Sequence, residues 1–299
     1  MVYLVIITMS IGMAQNFAIG DIVIICNDVE ILKRSQEKQC YTEEMNKTLG
    51  EIGLVRKVNS NSLLVSFGMK SWQFHPSALS KVVFPSKDSK YEIAKVRSVL
   101  NKRNKDGVTA LHIAVYEEYV DVVKRLLDLG CDVNTHDEVN DSVLMDAIGR
   151  GNVDIVSLLL EKDADYTHTN CVGWNVLHVA ALSPSVDMFR TLSDKLDGKT
   201  IMKLNSQKAK NGHTPLHLAI RRGSTDVAEL LIKIPGTDVN SQDINFFTPL
   251  HLAVIQENIK IVQQLLHHGA DKHIQDSSSN IPIDYAEKNG NRKISSLLM

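Results

Sequence analysis

A nine-residue stretch, Asn211–Ala219, recurs along the last two thirds of this sequence at nearly constant spacing. Five segments share a Thr-x-Leu-His core or a close variant of it, and their first residues lie 33, 33, 39 and 34 positions apart. A repeat of this period indicates stacked units that each bury an apolar face against a neighbour. The first residues of the five cores are Thr109, Ser142, Asn175, Thr214 and Thr248, and a sixth, decayed copy begins at Ile281.

Each copy has the sequence signals of two short helices. The Thr, Ser or Asn that opens the core can accept a hydrogen bond from a free amide of the first helical turn. Pro215 and Pro249 follow at the first helical position, where a missing N–H costs nothing. A second apolar segment such as Ile261–Leu266 comes behind, with its apolar residues at helical spacing. The pattern resembles the ankyrin repeat, and it predicts an all-α solenoid over residues 104–299 with about six repeats, the last one degenerate.

Three departures from the repeat stand out. The turn between paired helices carries Gly in repeats two, four and six, but Glu118, Pro184 and Glu257 occupy that slot in repeats one, three and five. We therefore expect altered turns in those three repeats. Six extra residues fall within Lys195–Lys210. Met145 replaces the repeated His in repeat two, so we expect that repeat to be the weakest internal link.

Four histidines recur in the core and raise the question of a metal or catalytic site: His112, His178, His217 and His251. Stacked repeats would place adjacent copies about 10 Å apart, as packed helices are. The ligands of one zinc ion must all lie about 2 Å from it, so we interpret these histidines as structural hydrogen-bonding residues. The sequence has no Ser-His-Asp pattern and no phosphate-binding Gly-rich loop. We expect no catalytic residue, no metal and no cofactor.

Composition narrows the class of partner. The chain has 33 basic and 35 acidic residues, so it offers no general electrostatic attraction to nucleic acid or to an anionic membrane. Its four cysteines are widely spaced, without a Cys-x-x-Cys pair, and this indicates neither a zinc site nor a disulfide framework. A reducing compartment fits this usage best, and we expect a protein partner in the cytoplasm.

Residues 1–15 form an apolar leader of uncertain status. Gly12, Met13 and Ala14 would pass as the cleavage site of a signal peptide, which would make the protein secreted. However, no Lys or Arg precedes the apolar run, and the run is shorter than the roughly 20 residues that span a bilayer. An apolar strand and a misplaced start of translation are the alternatives, and we expect no membrane insertion.

Residues 16–84 have a β-like pattern. Ile19–Ile25 is a run of β-branched residues, and Leu63, Val65 and Phe67 are spaced as in a half-buried strand. Gly53–Val58 is the predicted hairpin partner of that strand. Residues 29–49 form a helix or a long loop in this interpretation. The pattern predicts a small SH3-like β-barrel, so that the whole chain is an α+β multi-domain protein in which a helical connector, residues 85–103, leads into the all-α ankyrin-repeat solenoid.

Three motifs occur in order within the β module, with a charged insert between the first two. They are Gly20-Asp21-x-Val23, then Leu49-Gly50-x-x-Gly53-x-Val55-x-Lys57-Val58, then Trp72-x-Phe74-x-Pro76-x-x-Leu79-x-Lys81-Val82. This order resembles the repeat domain of the mind bomb ubiquitin ligases. The resemblance implies that the module holds a peptide from the cytoplasmic tail of a Notch ligand, with Trp72 and Phe74 as groove residues. The alternative is that both aromatic side chains only fill the core of a small barrel.

Six residues of the repeats are candidates for partner contact. Trp174 and Phe247 directly precede a capping residue at two hairpin tips, and Phe246 takes the slot that Gly fills in repeats one, three and four. Lone surface aromatic residues are also ordinary, so the pattern alone does not decide between these meanings. Arg150, Arg221 and Arg222 adjoin the turn between paired helices, where they would favour an acidic peptide or simply solubilise the face.

The two matching modules favour a protein-interaction scaffold, the substrate-recognition portion of a mind bomb-like ubiquitin ligase that ubiquitinates Notch ligands and promotes their endocytosis. The resemblance implies RING fingers with Cys and His sets, which this sequence does not contain. We therefore expect the chain alone to bind and not to transfer ubiquitin. The alternative is a stand-alone or secreted ankyrin-repeat adaptor with no link to ubiquitin.

Overall fold

The structure, a computed structural model, describes five strands between residues 22 and 81 by their backbone, and residues 100–299 apart from 105 and 184. The chain divides into two compact units, residues 1–138 and 139–299. The apolar leader, the insert at 29–49 and the connector up to residue 99 lie outside the described residues.

The five strands of the first unit form one antiparallel sheet with the order β4-β3-β2-β1-β5. The predicted hairpin is confirmed, because β2 pairs with β3 and Val58 lies opposite Leu63. The register shifts between Val55 and Lys57. The barrel itself stays a prediction. The strands are β1 Ile22–Ile25, β2 Ile52–Val58, β3 Leu63–Phe67, β4 Lys70–Phe74 and β5 Leu79–Lys81.

Thirteen helices lie in the described residues, and they follow the repeat period of the sequence. The first unit contains α1 Ala110–Tyr116 and α2 Val120–Asp128. The second unit contains α3 Val143–Arg150, α4 Val153–Glu161, α5 Val176–Leu182, α6 Val186–Lys195, α7 Gly198–Ser206, α8 Pro215–Arg222, α9 Thr225–Ile232, α10 Pro249–Ile255, α11 Ile259–His267, α12 Pro282–Lys288 and α13 Arg292–Leu298.

The helices of the second unit stack in two rows. The first helices of successive repeats, α3, α5, α8, α10 and α12, pack in that order, and the second helices, α4, α6, α9, α11 and α13, form the other row. The Leu of each Thr-x-Leu-His core is buried between neighbours, as in Leu177, Leu216 and Leu250. The predicted helical solenoid is therefore present over this unit, and its decayed sixth copy still forms a helix pair.

The turns between paired helices contradict one prediction. Glu118 and Glu257 have left-handed φ torsions of +59° and +53°, in the same region as Gly151, Gly223 and Gly290. All five turns make the same two backbone hydrogen bonds, and the residue after the left-handed one donates to the carbonyl five positions back. The expected alteration in repeats one and five is wrong, because these bonds hold Glu in a conformation that costs about 1 kcal/mol. Pro184 lies outside the described residues.

The six extra residues of repeat three build an additional helix. Asp197 caps α7 by accepting the N–H groups of Lys199 and Thr200, and α7 buries Ile201 and Leu204. The Leu204 carbonyl also accepts a hydrogen bond of 2.8 Å from the Asn175 side chain. The expansion is therefore packed into the stack.

A close backbone approach between hairpins predicts a large difference between two glycine substitutions. Gly212 and Gly223 both have left-handed torsions, but a Cβ on Gly212 would lie 2.8 Å from Asp243 Cα, whereas nothing lies within 4 Å at Gly223. Both Gly→Ala changes should cost about 1 kcal/mol of conformational strain. Gly212→Ala should cost roughly 1–3 kcal/mol more through overpacking. Urea unfolding of the two variants measures the difference, and equal stability would contradict this account of the hairpin stack.

Candidate protein-binding surface

The repeated histidines join neighbouring repeats. In repeat four, His217 Nδ1 accepts the backbone N–H of Thr214 at 3.2 Å, and its Nε2 lies 3.1 Å from the Phe247 carbonyl of the next repeat. His178 and His251 make the equivalent contacts to the carbonyls of His213 and Asn280. In His217 and His251 a backbone N–H points at Nδ1 and can only donate, so Nδ1 is the acceptor and the neutral ring carries its proton on Nε2. The structural interpretation is confirmed for these three histidines, whereas His112 keeps its Nδ1 contacts with Thr109 and its buried Nε2 has no partner among the described residues.

Burial keeps these rings neutral. It lowers the pKa of His178 and of His217 to about 4, and the bond from Nε2 to the next repeat's carbonyl raises the pKa again only in part. A second proton would sit on Nδ1, facing the Thr or Asn N–H that already donates there. The histidines therefore serve the fold in their neutral form.

The described residues contain no group of three or more His, Cys, Asp or Glu side chains placed to hold a metal ion. Within the same residues, no helix is both long enough and apolar enough to cross a membrane.

Hairpins between the repeats join into a continuous edge. In repeat five, Asp243 Oδ1 accepts the N–H groups of Asn245 and Phe247 at 2.8 and 2.9 Å, which closes the hairpin loop. Successive hairpins are linked by a backbone bond, such as the one from Ile244 N to the Asn211 carbonyl at 3.1 Å. Equivalent bonds join the other hairpins of the second unit, so their tips follow one another along one side.

Four large apolar residues are exposed at these tips, and we name them the tip ridge. Phe246 is 52% exposed and Ile244 is 64% exposed. Of the four exposed residues, only Phe246 is a candidate predicted from the sequence. The sequence could have identified the other three, because each is an apolar residue at a hairpin tip, where polar residues and Gly are usual. The tip ridge consists of Val139, Val172, Ile244 and Phe246.

Phe246 combines exposure with an unfavourable backbone. Its φ torsion is +61°, in the left-handed region that Gly107, Gly173 and Gly212 occupy in the same slot. A bulky residue is rare in this conformation. Both properties reduce the stability of the fold, and strained residues of this kind cluster at binding sites. Phe246 is therefore the strongest candidate of the tip ridge.

Phe247 and Trp174 differ from Phe246, since both are only partly exposed. The Phe247 ring packs against His251 and Tyr285, with ring centroids 5.6 and 5.9 Å away. Trp174 is the equivalent residue in repeat three, and its backbone N–H donates to Asn170 Oδ1 at 2.9 Å. Both residues are thus half-buried, and part of each side chain remains accessible.

The three predicted arginines are exposed at the ends of first helices. Arg150 ends α3, and Arg221 and Arg222 end α8. Arg221 Nη1 lies 3.2 Å from His213 Nε2, whose other close neighbour is the buried carboxylate of Asp243 at 3.4 Å. Burial and the Arg221 charge lower the pKa of His213, and Asp243 partly opposes them. This cluster of His213, Asp243 and Arg221 was missed because its members come from two repeats.

Trp72 and Phe74 lie in β4, where their register partners in β3 are Val65 and Leu63. A role for these two residues in binding a peptide stays a prediction, as do the domain boundaries within the first unit.

Two families match the sequence. The family described as ankyrin repeats (3 copies) matches residues 129–203, 196–276 and 234–299, and a single ankyrin repeat matches residues 106–138. The Mind bomb SH3 repeat domain matches residues 17–79. The ankyrin matches cover more than half of the chain.

Proteins of different kinds share the repeats. The nuclear factor NF-kappa-B p105 subunit of Gallus gallus is 31% identical over 60% of this chain and 18% of its own length. The E3 ubiquitin-protein ligase KEG of Arabidopsis thaliana is 27% identical over 62% of this chain and 11% of its own length. The chain thus spans less than a third of either relative.

A solved structure with the same architecture is the ankyrin repeat domain of Bcl-3. It superposes with a TM-score of 0.57 over 69% of this chain and 92% of its own, at 22% sequence identity. This likeness shows the fold.

Because these histidines are neutral in the folded chain, we predict that the free energy of unfolding decreases as the pH is lowered. The folded chain protonates His217 near pH 4 and the unfolded chain near 6.5, so this contribution is complete above about pH 6.5 and is lost as pH falls toward 4. The loss reaches about 1.4 kcal/mol per pH unit for each such histidine. Urea unfolding between pH 7.5 and 4.5 should show a shallower decline for His217→Gln than for the wild type. Parallel curves would contradict the proposed protonation state.

The two adjacent phenylalanines should respond differently to substitution. Phe247→Ala removes contacts to His251 and Tyr285 and should lower the unfolding free energy by about 2 kcal/mol. Phe246→Gly removes left-handed strain of about 1 kcal/mol and exposed apolar surface, so stability should be unchanged or higher. Thermal and urea unfolding test both variants, and a clear loss of stability in Phe246→Gly would show that Phe246 is needed for the fold.

Proposed function

The chain belongs to the ankyrin-repeat proteins, and from this premise we propose that it is the substrate-recognition scaffold of a mind bomb-like ubiquitin ligase acting on Notch ligands. The observation that carries the proposal is the order of modules in one chain. A match to the Mind bomb SH3 repeat domain over residues 17–79 is followed directly by the ankyrin array. Ankyrin repeats indicate a protein-protein interaction scaffold, and the preceding domain suggests which ligase system it serves.

In this proposal the two modules divide the work of binding. The module over residues 17–79 takes a segment of the Notch-ligand cytoplasmic tail through Trp72 and Phe74 in β4. The tip ridge and the exposed arginines of the array contact a further part of the same partner or another component of the ligase. We place the protein in the cytoplasm, where such a tail would be presented.

The chain by itself binds and does not transfer ubiquitin in this scheme, and transfer belongs to a RING ligase in the same assembly. The ubiquitinated ligand is then endocytosed. The weak similarity to an E3 ubiquitin-protein ligase of Arabidopsis thaliana is consistent with a ligase context. It supports the proposal less than the Mind bomb SH3 repeat match does.

A stand-alone or secreted adaptor without a link to ubiquitin is the second candidate. One observation favours it. The ankyrin segment is similar to parts of proteins as different as a palmitoyltransferase of Lachancea kluyveri and a cation channel subunit of Homo sapiens. The repeats alone therefore do not select a ligase function.

Binding of a Notch-ligand tail to the full chain tests the proposal. Biolayer interferometry with the purified cytoplasmic tail should show binding that falls at least tenfold, about 1.4 kcal/mol, in the double variant Trp72→Ala and Phe74→Ala. Phe246→Gly should weaken it further if the tip ridge takes part. Lys293→Gln on α13 is the matched surface control.

Two outcomes would overturn the proposal. If no Notch-ligand tail binds the full chain, the link to these ligands is wrong. The result would then favour the adaptor without a link to ubiquitin. If ubiquitin appears on the tail with E1, E2 and this chain alone, the assignment of transfer to another ligase is wrong.

A further inference from the structure

One row of side chains crosses the exposed face of the first helices in repeats three to five. Leu182, Arg221 and Ile255 each lie seven positions after their capping residue, on helices α5, α8 and α10. Since these helices pack side by side, equivalent positions form a line across the stack. Arg221 and Ile255 are exposed, and Leu182 is half-buried.

A second row runs beside the first. It consists of the residues directly before the capping positions, Trp174, His213 and Phe247. The contact of 3.2 Å between Arg221 Nη1 and His213 Nε2 shows that the two rows meet in repeat four. Eight positions also separate Trp174 from Leu182 and Phe247 from Ile255, and from this equal spacing we infer that each pair lies together as Arg221 and His213 do. We name these six residues the inner groove.

The inner groove has one charged centre between two apolar ends. Among the ion pairs of the described residues, none joins a carboxylate to Arg221 or Arg222. The nearby Asp243 is buried and engaged, because its Oδ1 accepts two backbone N–H groups and its Oδ2 faces His213. The Arg221 charge is therefore open to an acidic group from a partner.

The distance between repeats selects the conformation of that partner. Packed helices lie about 8–10 Å apart. An extended β-strand places side chains on one face about 7 Å apart for two residues and about 14 Å for four, and neither matches. A polyproline II helix has three residues per turn and repeats after about 9 Å, which places every third side chain on one face at nearly the repeat distance.

We propose that the inner groove binds a peptide in the polyproline II conformation with an apolar residue, an Asp or Glu three positions later, and a second apolar residue three positions after that. The acidic residue pairs with Arg221, and the apolar residues contact the Trp174–Leu182 and Phe247–Ile255 pairs. The motif reads the same in both directions, so either chain direction satisfies it. This inference rests on the proposed function only in that the chain is a protein-binding scaffold.

A designed peptide tests the inference with the full chain. Fluorescein-labelled Leu-Pro-Pro-Glu-Pro-Pro-Leu should bind in a fluorescence polarisation titration, because proline preorganises the required conformation. A peptide that places Leu and Glu two positions apart should bind at least tenfold more weakly. Equal affinity for the two spacings would overturn the proposed conformation.

Charge reversal identifies the contact residue. Arg221→Glu should weaken the Glu peptide at least tenfold and strengthen the peptide in which Lys replaces Glu. Lys293→Glu, the same charge change at an exposed site on α13, is the matched control and should leave both affinities unchanged. If Arg221→Glu fails to exchange the preference, Arg221 is not the acidic-residue contact and the inference is wrong.

The outcome is independent of the Notch-ligand experiment. If the tail binds through residues 17–79 and the designed peptide does not bind, the inner-groove inference alone is overturned. If the designed peptide binds with the predicted charge dependence while no Notch-ligand tail binds, the inference stands and the ligase proposal is overturned.

Discussion

The buried hydrogen bonds of the repeated histidines hold the array together. In repeat four a single neutral ring accepts the N–H of Thr214 and donates to the Phe247 carbonyl of the following repeat. It thus caps a helix and fixes the next hairpin at once. Repeat two lacks this link, since Met145 is buried there and only the Ser142 hydroxyl caps the helix. In repeat six, Asp284 stands in place of the histidine. It accepts the Ile281 N–H, so the contact within the repeat is kept.

The link made by His178, His217 and His251 joins repeats three to six and has a consequence for the surface. It places equivalent positions of neighbouring repeats at nearly equal intervals, so any exposed residue becomes one point in a row. What such a row can bind is then set by the residues that differ from repeat to repeat. Leu182, Arg221 and Ile255 share one position and differ in chemistry, as do the residues of the tip ridge. The fold supplies the spacing, and the exceptions to the repeat supply the chemistry.

The helix pairs, the β2–β3 hairpin and four of the five predicted caps could be predicted because each depends on rules that act within a few residues, and only Thr109 makes no side-chain cap bond. The turns at Glu118 and Glu257 could not, because packing and two hydrogen bonds overcome the local preference for Gly. The exposure of individual side chains could not be predicted either. Phe246 and Phe247 are adjacent in sequence, yet only Phe247 meets a ring that is 38 positions further along the chain, that of Tyr285. The approach of Asp243 to His213 was hidden in the same way, because 30 positions separate them in the sequence.

Phe246 departs from the repeat in a way that lowers the stability of the fold. Its slot holds Gly in three repeats and Asn140 or Ser279 in two others, all residues that suit a left-handed backbone or a polar tip. An exposed Phe at that position lowers stability in two ways, because its backbone is strained and its apolar ring is in contact with water. Nothing within the fold compensates, because the ring remains half exposed, whereas its neighbour Phe247 packs on two aromatic rings. A contact with another molecule would bury the ring of Phe246, and for this reason we propose the tip ridge as a surface for partner contact.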